Sequence, residues 1–552
     1  MGASARPVTS LHLIPRTGLM STVIDEVAFE DSLEIDPSLL AAFLRTDPDE
    51  PVVLAFDLGT SGVRAALFDS RGQEIEGSQT ALASDFHSKL GTGGDANADA
   101  LVSFVAQAID VAVARAETFV SRIDYVAASC FWHSLVGVDN AGRALTPSLG
   151  WADTRAADAV TELRSRFDES AAHPRTGARF HPSYWPAKLL WLKNNRGELW
   201  RRVTRWLSFS DYLFLQLFSD ATTSVSMASA TGLFDQSQCE WDGELLETLG
   251  IAAEQLPPLA SSGQTVRRLR EEYALRWPLL DRAAWFPAIG DGAANNIGAG
   301  CVDSTRASLM IGTSGAMRVL CAGSPPQSLP SELFCYRADR ERVVVGGALS
   351  DGGGLHAWMK DTLLLNYADD EIETSLALME PDAHGLTVLP FWSGERATGW
   401  SAAARGAIIG LTASTKPIDI LRAAMEAVSY RFALLARALD TIAPNAVVVA
   451  SGNALLASRA WAQMIADVVG RRIELSCTRE ASCRGAALLA LETIGTIGSI
   501  ETVESGSGEY FEPDLTRHEV YARAIERQQA VYERLISHGG TETQRGPREK
   551  EE

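Results

Sequence analysis

The 552-residue sequence is poor in cysteine: there are seven, with no Cys-x-x-Cys pair and no histidine at metal-ligand spacing from any of them. That excludes a disulfide framework and a zinc site, and it fits reduced thiols in a cytoplasm. No apolar run reaches the ~18 residues that a membrane span needs, so no membrane partner is expected. Basic residues are also scarce, 49 Lys and Arg against 70 Asp and Glu, for a net charge of −21. A phosphate backbone is bound by excess cations, so nucleic acid is excluded as the main partner, whereas a single polyphosphate in a local site is not. Heptads and solenoid periods are absent too. The length allows two or more domains, since single cores stop growing near roughly 250–300 residues.

One tetrapeptide, Gly-Thr-Ser-Gly, occurs twice, at Gly59–Gly62 and at Gly312–Gly315. Each copy lies between two β-rich runs, Val52–Leu58 and Val63–Asp69 in the first case, Ala307–Ile311 and Ala316–Leu320 in the second, which is a hairpin pattern. Glycine lets backbone N–H groups crowd an anion, and Thr60, Ser61, Thr313 and Ser314 add hydroxyl donors. Two copies in matching contexts predict two halves folded around one polyphosphate. They are unequal: Asp57 stands two places before Gly59, where a carboxylate could hold Mg²⁺ directly or through water, and the second copy has no such acid. Arg64, in the strand after the first loop, could reach a phosphate or be a plain strand charge.

Strands and helices alternate through both halves. Helices are expected at Ala98–Glu117, Ile418–Leu439, Ser458–Val469 and, last, Ser482–Thr493, and a Trp- and Arg-rich helical region over Ala187–Phe218. Strands are expected at Tyr125–Cys130, Leu309–Leu320, Val343–Gly347 and Ala446–Ser451. The fold class is therefore α/β with two domains. Residues 1–50 form a poorly structured N-terminal extension, or an early start upstream of Met20, and the tail from Ser537 is polar and charged.

Three further places could carry chemistry. Gly290-Asp291-Gly292 opens a small-residue helix, so Asp291 either caps that helix or accepts the proton of an attacking hydroxyl. His133, beside Trp132, and Trp151-Ala152-Asp153-Thr154-Arg155 supply aromatic, acidic and cationic groups that suit a polyol or sugar-acid pocket, or else serve as satisfied core polar groups. Ser451-Gly452-Asn453-Ala454 is a glycine turn between strand and helix that could admit a nucleotide.

Six blocks in order resemble the FGGY carbohydrate kinases, over about Val52 to Thr493. They are Phe56-Asp57-Leu58-Gly59-Thr60-Ser61 with Arg64; Lys188 to Asn195; Gly290-Asp291-Gly292; Ile311-Gly312-Thr313-Ser314-Gly315; Gly406 to Leu411 with Asp419 to Glu426; and Ser451-Gly452-Asn453-Ala454 with Trp461, Gln463, Asp467 and Gly470. The resemblance implies two RNase H-like domains of the actin and hexokinase ATPase type with an interdomain cleft, residues 51–302 carrying sugar, phosphate and base, and 303–536 the nucleotide. The implied cofactors are ATP and Mg²⁺, with Asp291 as general base and Asp57 toward the metal. Gly59, Thr60, Ser61, Arg64, Gly312, Thr313 and Ser314 fall on the phosphates, and Gly353, Gly452, Asn453 and Ala454 on the rest of the nucleotide.

Within the family, His133-Ser134-Leu135-Val136, Trp151 to Arg155, His181-Pro182, Phe334-Cys335-Tyr336 and Val345 to Gly353 are most similar to gluconokinases. This implies His133, Asp153, Arg155, His181 and Asp291 as substrate residues, with Arg155 or His181 as the cation for a sugar acid. The expected partner is a small-molecule sugar or sugar acid, the expected location cytoplasmic, and a homodimer is left open. Trp185, Ala402 and Asn453 depart from the family pattern.

Overall fold

Leu54, Phe56 and Leu58 alternate with Val53, Ala55 and Asp57 along Val53–Gly59, and nearly every one of these side chains is buried, as befits a strand covered on both faces. In the computed structural model, which describes residues 50–84, 95–365 and 367–537, this strand is central to the first of the two large sheets. The chain divides into Met1–Thr46 and Asp47–Glu552. The N-terminal extension, apart from Glu50, and the tail beyond Ser537 lie outside the described residues.

The two sheets share one topology. In the first, Thr80–Ala83, Gly62–Phe68 and Val53–Gly59 run as an antiparallel meander, and Tyr125–Cys130 then Ile289–Gly290 add on the other side in parallel. In the second, Arg342–Leu349, Gly315–Ala322 and Arg306–Ile311 form the meander, and Val447–Ser451 then Ile473–Ser476 add in parallel. Phe334–Arg337 and Ser507–Phe511 extend the second sheet at its two edges. The duplicated tetrapeptide is thus the turn of the first hairpin in each half.

Helix Ala98–Ala116 buries Leu101, Val102, Val105, Ile109 and Val113 at helical spacing, and Asn97 caps it by accepting from the Ala100 N–H at 2.9 Å. Helix Ala481–Thr493 comes from the second half yet lays Cys483, Ala486, Ala487, Ala490 and Leu491 on Val53, Ala55, Ala66 and Phe68 of the first sheet. It also crosses helix Asp291–Gly298 at small residues, where any Cβ on Gly298 or Gly485 would strike the backbone of the other helix. Between Cys130 and Ile289 the chain builds a second apolar cluster around Trp185, Leu189, Leu190 and Trp206.

The helical region 187–218 consists of three helices, Trp185–Asn195, Gly197–Arg202 and Phe209–Phe218, separated at Arg196 and by the strand Arg205–Leu207, which pairs with Val136–Val138. One expectation changes: Ala481–Thr493 is not the last helix, because Leu515–Tyr532 follows it. That helix buries only Tyr521, Ala524, Ile525 and Gln528, a stripe too narrow and polar to stand out in sequence.

Candidate active site

Strand register brings the first carboxylates together. Ser129 pairs with Asp57 on one side and Ile289 on the other, so Asp57 and the helix that starts at Asp291 emerge at the carboxyl ends of two parallel strands that flank Tyr125–Cys130. Ligand crevices form at such strand ends. The Asp57 Oδ1 accepts from the Ser129 hydroxyl at 2.6 Å, and Oδ2 lies 3.4 Å from the Arg64 guanidinium directly across the hairpin. Burial raises the Asp57 carboxyl above the ordinary value, with Ser129 and Arg64 pulling the other way.

The second half repeats this register with different chemistry. Met310 faces Ser451 where Asp57 faces Ser129, and the buried Ser451 Oγ has no partner among the described residues. The acid of the first loop is therefore missing from the second, as its sequence says.

Asp291 does not cap its helix. Gly290 occupies the cap position, and the Asp291 Oδ1 accepts only the next N–H, that of Gly292, at 2.8 Å. Burial pushes its carboxyl up to about 6, opposed by Arg318 and reinforced by the negative charge of Asp57. The flanking glycines follow from packing: the Trp132 indole lies across them, so a Cβ at Gly290 would come 1.8 Å from its ring and one at Gly292 2.4 Å.

A cleft of about 740 Å³ collects these groups. Its walls include Asp57, Gly59, Thr60, Ser61, Arg64, His133 and Asp291 from the first half, and Gly312, Thr313, Ser314, Gly353, Gly452, Asn453 and Ala454 from the second. Every residue expected at phosphate, nucleotide, metal or base thus meets in one space. Gly452 has φ +93°, and a Cβ there would lie 2.3 Å from the Ile311 carbonyl, so this turn presses directly on the strand leading to the second loop.

The expected sugar residues divide. His133 lines the cleft; its Nδ1–H donates to the Ala230 carbonyl at 2.7 Å, which leaves Nε2 as an acceptor, and burial holds its pKa at about 3, so the ring is neutral. Asp153 and His181 instead line a small adjoining pocket that shares Trp151 and Arg396 with the cleft. Both His181 nitrogens are taken: Nε2 donates to the Glu395 carbonyl at 3.1 Å and Nδ1 accepts from the Ser183 N–H at 3.2 Å. Burial lowers its pKa to about 3, so it carries no charge at neutral pH. Arg155 lines neither space; its guanidinium is bound to Asp153 at 3.0 Å and Asp95 at 2.8 Å.

Three cations that do line the cleft, Arg318, Arg396 and Arg479, were not singled out in the sequence. Arg318 is 7% exposed and its Nε and Nη1 have no partner among the described residues. Arg396 stacks on Trp151 at 4.2 Å and donates from Nη2 to the Leu349 carbonyl at 2.8 Å, and burial lowers its pKa to about 10. The signal for Arg318 was its place: an arginine follows the second loop as Arg64 follows the first.

Lys188, 1% exposed, ties the pocket together. Its Nζ donates to the carbonyls of His133 at 2.7 Å, Ser183 at 2.7 Å and Leu149 at 3.2 Å, one bond to each of three segments beside the cleft. Trp185, a departure from the family pattern, donates its indole N–H to the Ser134 carbonyl at 2.9 Å and braces the same turn. Among the described residues, Asp382, His384 and Glu426 also cluster, but Arg422 and Arg527 already neutralise their carboxylates.

Comparison with known proteins places the chain among sugar kinases. Models of the FGGY family of carbohydrate kinases match it over residues 52–298 for the N-terminal domain and 307–493 for the C-terminal domain. It is similar to a gluconokinase of Bacillus subtilis (strain 168), 28% identical over 476 residues, which cover 83% of this chain and 90% of the relative. Among solved structures it resembles the gluconate kinase of Lactobacillus acidophilus, with TM-score 0.79, 25% identity and coverage of 89% and 100% of the two chains. It equally resembles a ligand-bound xylulose kinase of Lactobacillus acidophilus, with TM-score 0.80, 25% identity and coverage of 89% and 99%. No helix among the described residues is long and apolar enough to cross a membrane.

Proposed function

We propose, from the premise that the chain belongs to the FGGY family of carbohydrate kinases, that it transfers the γ-phosphoryl group of ATP to the terminal hydroxyl of a sugar acid, D-gluconate, giving 6-phospho-D-gluconate. The observation that carries this reading is the convergence of Asp291 with both Gly-Thr-Ser loops in one cleft.

In the proposed reaction Asp291 accepts the proton of the substrate hydroxyl as its oxygen bonds to the γ-phosphorus, and the bond from that phosphorus to the bridging oxygen breaks to release ADP. A carboxyl raised to about 6 is ionised at neutral pH yet basic enough for the task. Thr60, Ser61, Thr313, Ser314 and the loop amides would hold the phosphates, with Arg64 beside them. Asp57 would hold Mg²⁺, which when bound spreads phosphate charge; its hard carboxylate oxygens at the mouth of the first loop fit that ion, which would compete with the Arg64 guanidinium 3.4 Å from Oδ2. Gly353, Gly452, Asn453 and Ala454 would take the remainder of the nucleotide. His133 would accept a substrate hydroxyl on Nε2.

Residues 51–302 and 303–536 are the proposed domains, and a cytoplasmic site of action suits free thiols. Gluconate is favoured by the likeness to the B. subtilis gluconokinase and by two buried guanidinium groups at the sugar end. The competing reading is a ketose such as xylulose, on the strength of the equal structural likeness to a xylulose kinase. ADP release measured over a panel of aldonates, ketoses and polyols separates them. Turnover with gluconate well above that with xylulose supports the proposal, and the reverse order replaces it with the ketose reading.

A further inference from the structure

We propose that Arg318 is the residue that makes the site selective for an anionic substrate, by pairing with the substrate's carboxylate. The inference rests on the sugar-acid reading above and adds the group responsible.

The chain goes to some length to put a cation here. Arg318 stands on the strand Gly315–Ala322, opposite Gly346, and a Cβ on Gly346 would lie 2.8 Å from the Arg318 Cγ. Its head reaches Gly292, where a Cβ would lie 2.9 Å from the guanidinium carbon. Two glycines therefore make the corridor through which the side chain enters the cleft. At its end Nε and Nη1 have no partner among the described residues, and leaving such buried donors unpaired is costly.

The charges around it point to an anion. Burial lowers the Arg318 pKa, and the one carboxylate that offsets this is Asp291, which the reaction needs as a base. Arg396, the other cation of this wall, is disfavoured further by Arg318 itself. Tyr336 and Tyr184 stay neutral, since burial raises both phenols, and His133 and His181 are uncharged. A wall with two guanidinium groups against the single carboxylate of Asp291, among neutral phenols and imidazoles, is completed by a substrate carboxylate. The planar guanidinium can give two N–H bonds to its two oxygens at once, whereas a hydroxyl meets one.

Arg318 is the better placed of the two. Arg396 is anchored on the Leu349 carbonyl and on Trp151, and Arg155 is consumed by Asp153 and Asp95. The phosphates are assigned their own cation in Arg64, on the strand after the first glycine loop.

The test compares Arg318→Gln and Arg318→Lys with the unaltered chain, using D-gluconate and D-xylulose as acceptors and D-gluconate binding by calorimetry without ATP. The expected result for Arg318→Gln, at pH 8 where Asp291 stays ionised, is a loss of about 10²-fold in gluconate kcat/KM, carried by KM and matched in binding, and about tenfold or more beyond any loss with xylulose. Arg318→Lys should recover part of the loss, since the charge remains without the fork. Equal losses for both acceptors, or a fall in kcat alone, would overturn the proposal and assign Arg318 to the transferring phosphoryl group. Absence of gluconate turnover in the unaltered chain would instead overturn the sugar-acid reading on which it rests.

Discussion

Asp57 and Asp291 approach the cleft from two strands that flank the same strand, Tyr125–Cys130, and the charge of Asp57 helps to raise the Asp291 carboxyl to about 6. The two acids are thus given different tasks by their surroundings. Asp57 has Ser129 and Arg64 beside it, while Asp291 has one backbone N–H and a buried setting.

The first prediction concerns Asp291 and pH. A base must be ionised, so kcat/KM for the sugar should be level above pH 7 and fall about tenfold per unit below about pH 6. Asp291→Asn should lower kcat by about 10²–10⁴-fold. Stability should move the other way. Because folding raises this pKa from 3.8 to about 6, the group's contribution is fully present below pH 3.8 and is lost as pH rises through 6. Asn cannot ionise, so the variant should melt higher than the unaltered chain at pH 8 and at the same temperature near pH 4. Equal melting temperatures at both pH values would contradict this.

Asp57→Asn should raise the Mg²⁺ concentration needed for half-maximal rate by about 10–100-fold, as expected when a metal-binding carboxylate is neutralised. Calorimetric sugar binding without nucleotide should be unchanged. A Mg²⁺ titration with the same midpoint in both proteins would remove Asp57 from the metal.

Lys188→Met deletes three hydrogen bonds from the segments of His133, Leu149 and Ser183 without a large change in volume. The His133 and Ser183 carbonyls are left unpaired at about 1–3 kcal/mol each, while that of Leu149 keeps the Leu135 N–H, so the melting temperature should fall. The sugar KM should rise about tenfold through loss of the pre-set pocket, with the ATP KM within about twofold. An unchanged ratio of the two KM values would make Lys188 a stability residue only.

Gly452→Ala places a Cβ 2.3 Å from the Ile311 carbonyl at φ +93°, so the turn must move. The ATP KM should rise about tenfold or more, while sugar binding stays the same, because backbone strain of about 1–3 kcal/mol falls on the nucleotide side alone. A normal ATP KM with an impaired sugar KM would place the nucleotide elsewhere.

Much of this was legible because it is local. Each Gly-Thr-Ser-Gly sits in its own hairpin, and the missing acid of the second loop is visible as Met310 in the place of Asp57. The carboxylate of Asp291 stood out between two glycines. What the sequence hides is pairing at a distance. Arg155 reads as a cation open to substrate until folding sets Asp95 and Asp153 against it, and His181 reads as a charge until burial and two hydrogen bonds neutralise it. Arg318 looks like one arginine in an apolar strand, and only the corridor between Gly292 and Gly346 gives it a direction. Helix Leu515–Tyr532 escapes for a related reason, since its few buried residues count only against the partners they meet.

The central claim is phosphoryl transfer to the terminal hydroxyl of gluconate, and the product tests it most directly. Proton-coupled phosphorus NMR of a reaction with ATP, Mg²⁺ and D-gluconate should show a phosphomonoester triplet, from phosphorus coupled to the two protons of a CH₂ group, growing in step with ADP. A doublet would put the phosphate on an internal carbon, and ADP appearing with inorganic phosphate alone would contradict the account.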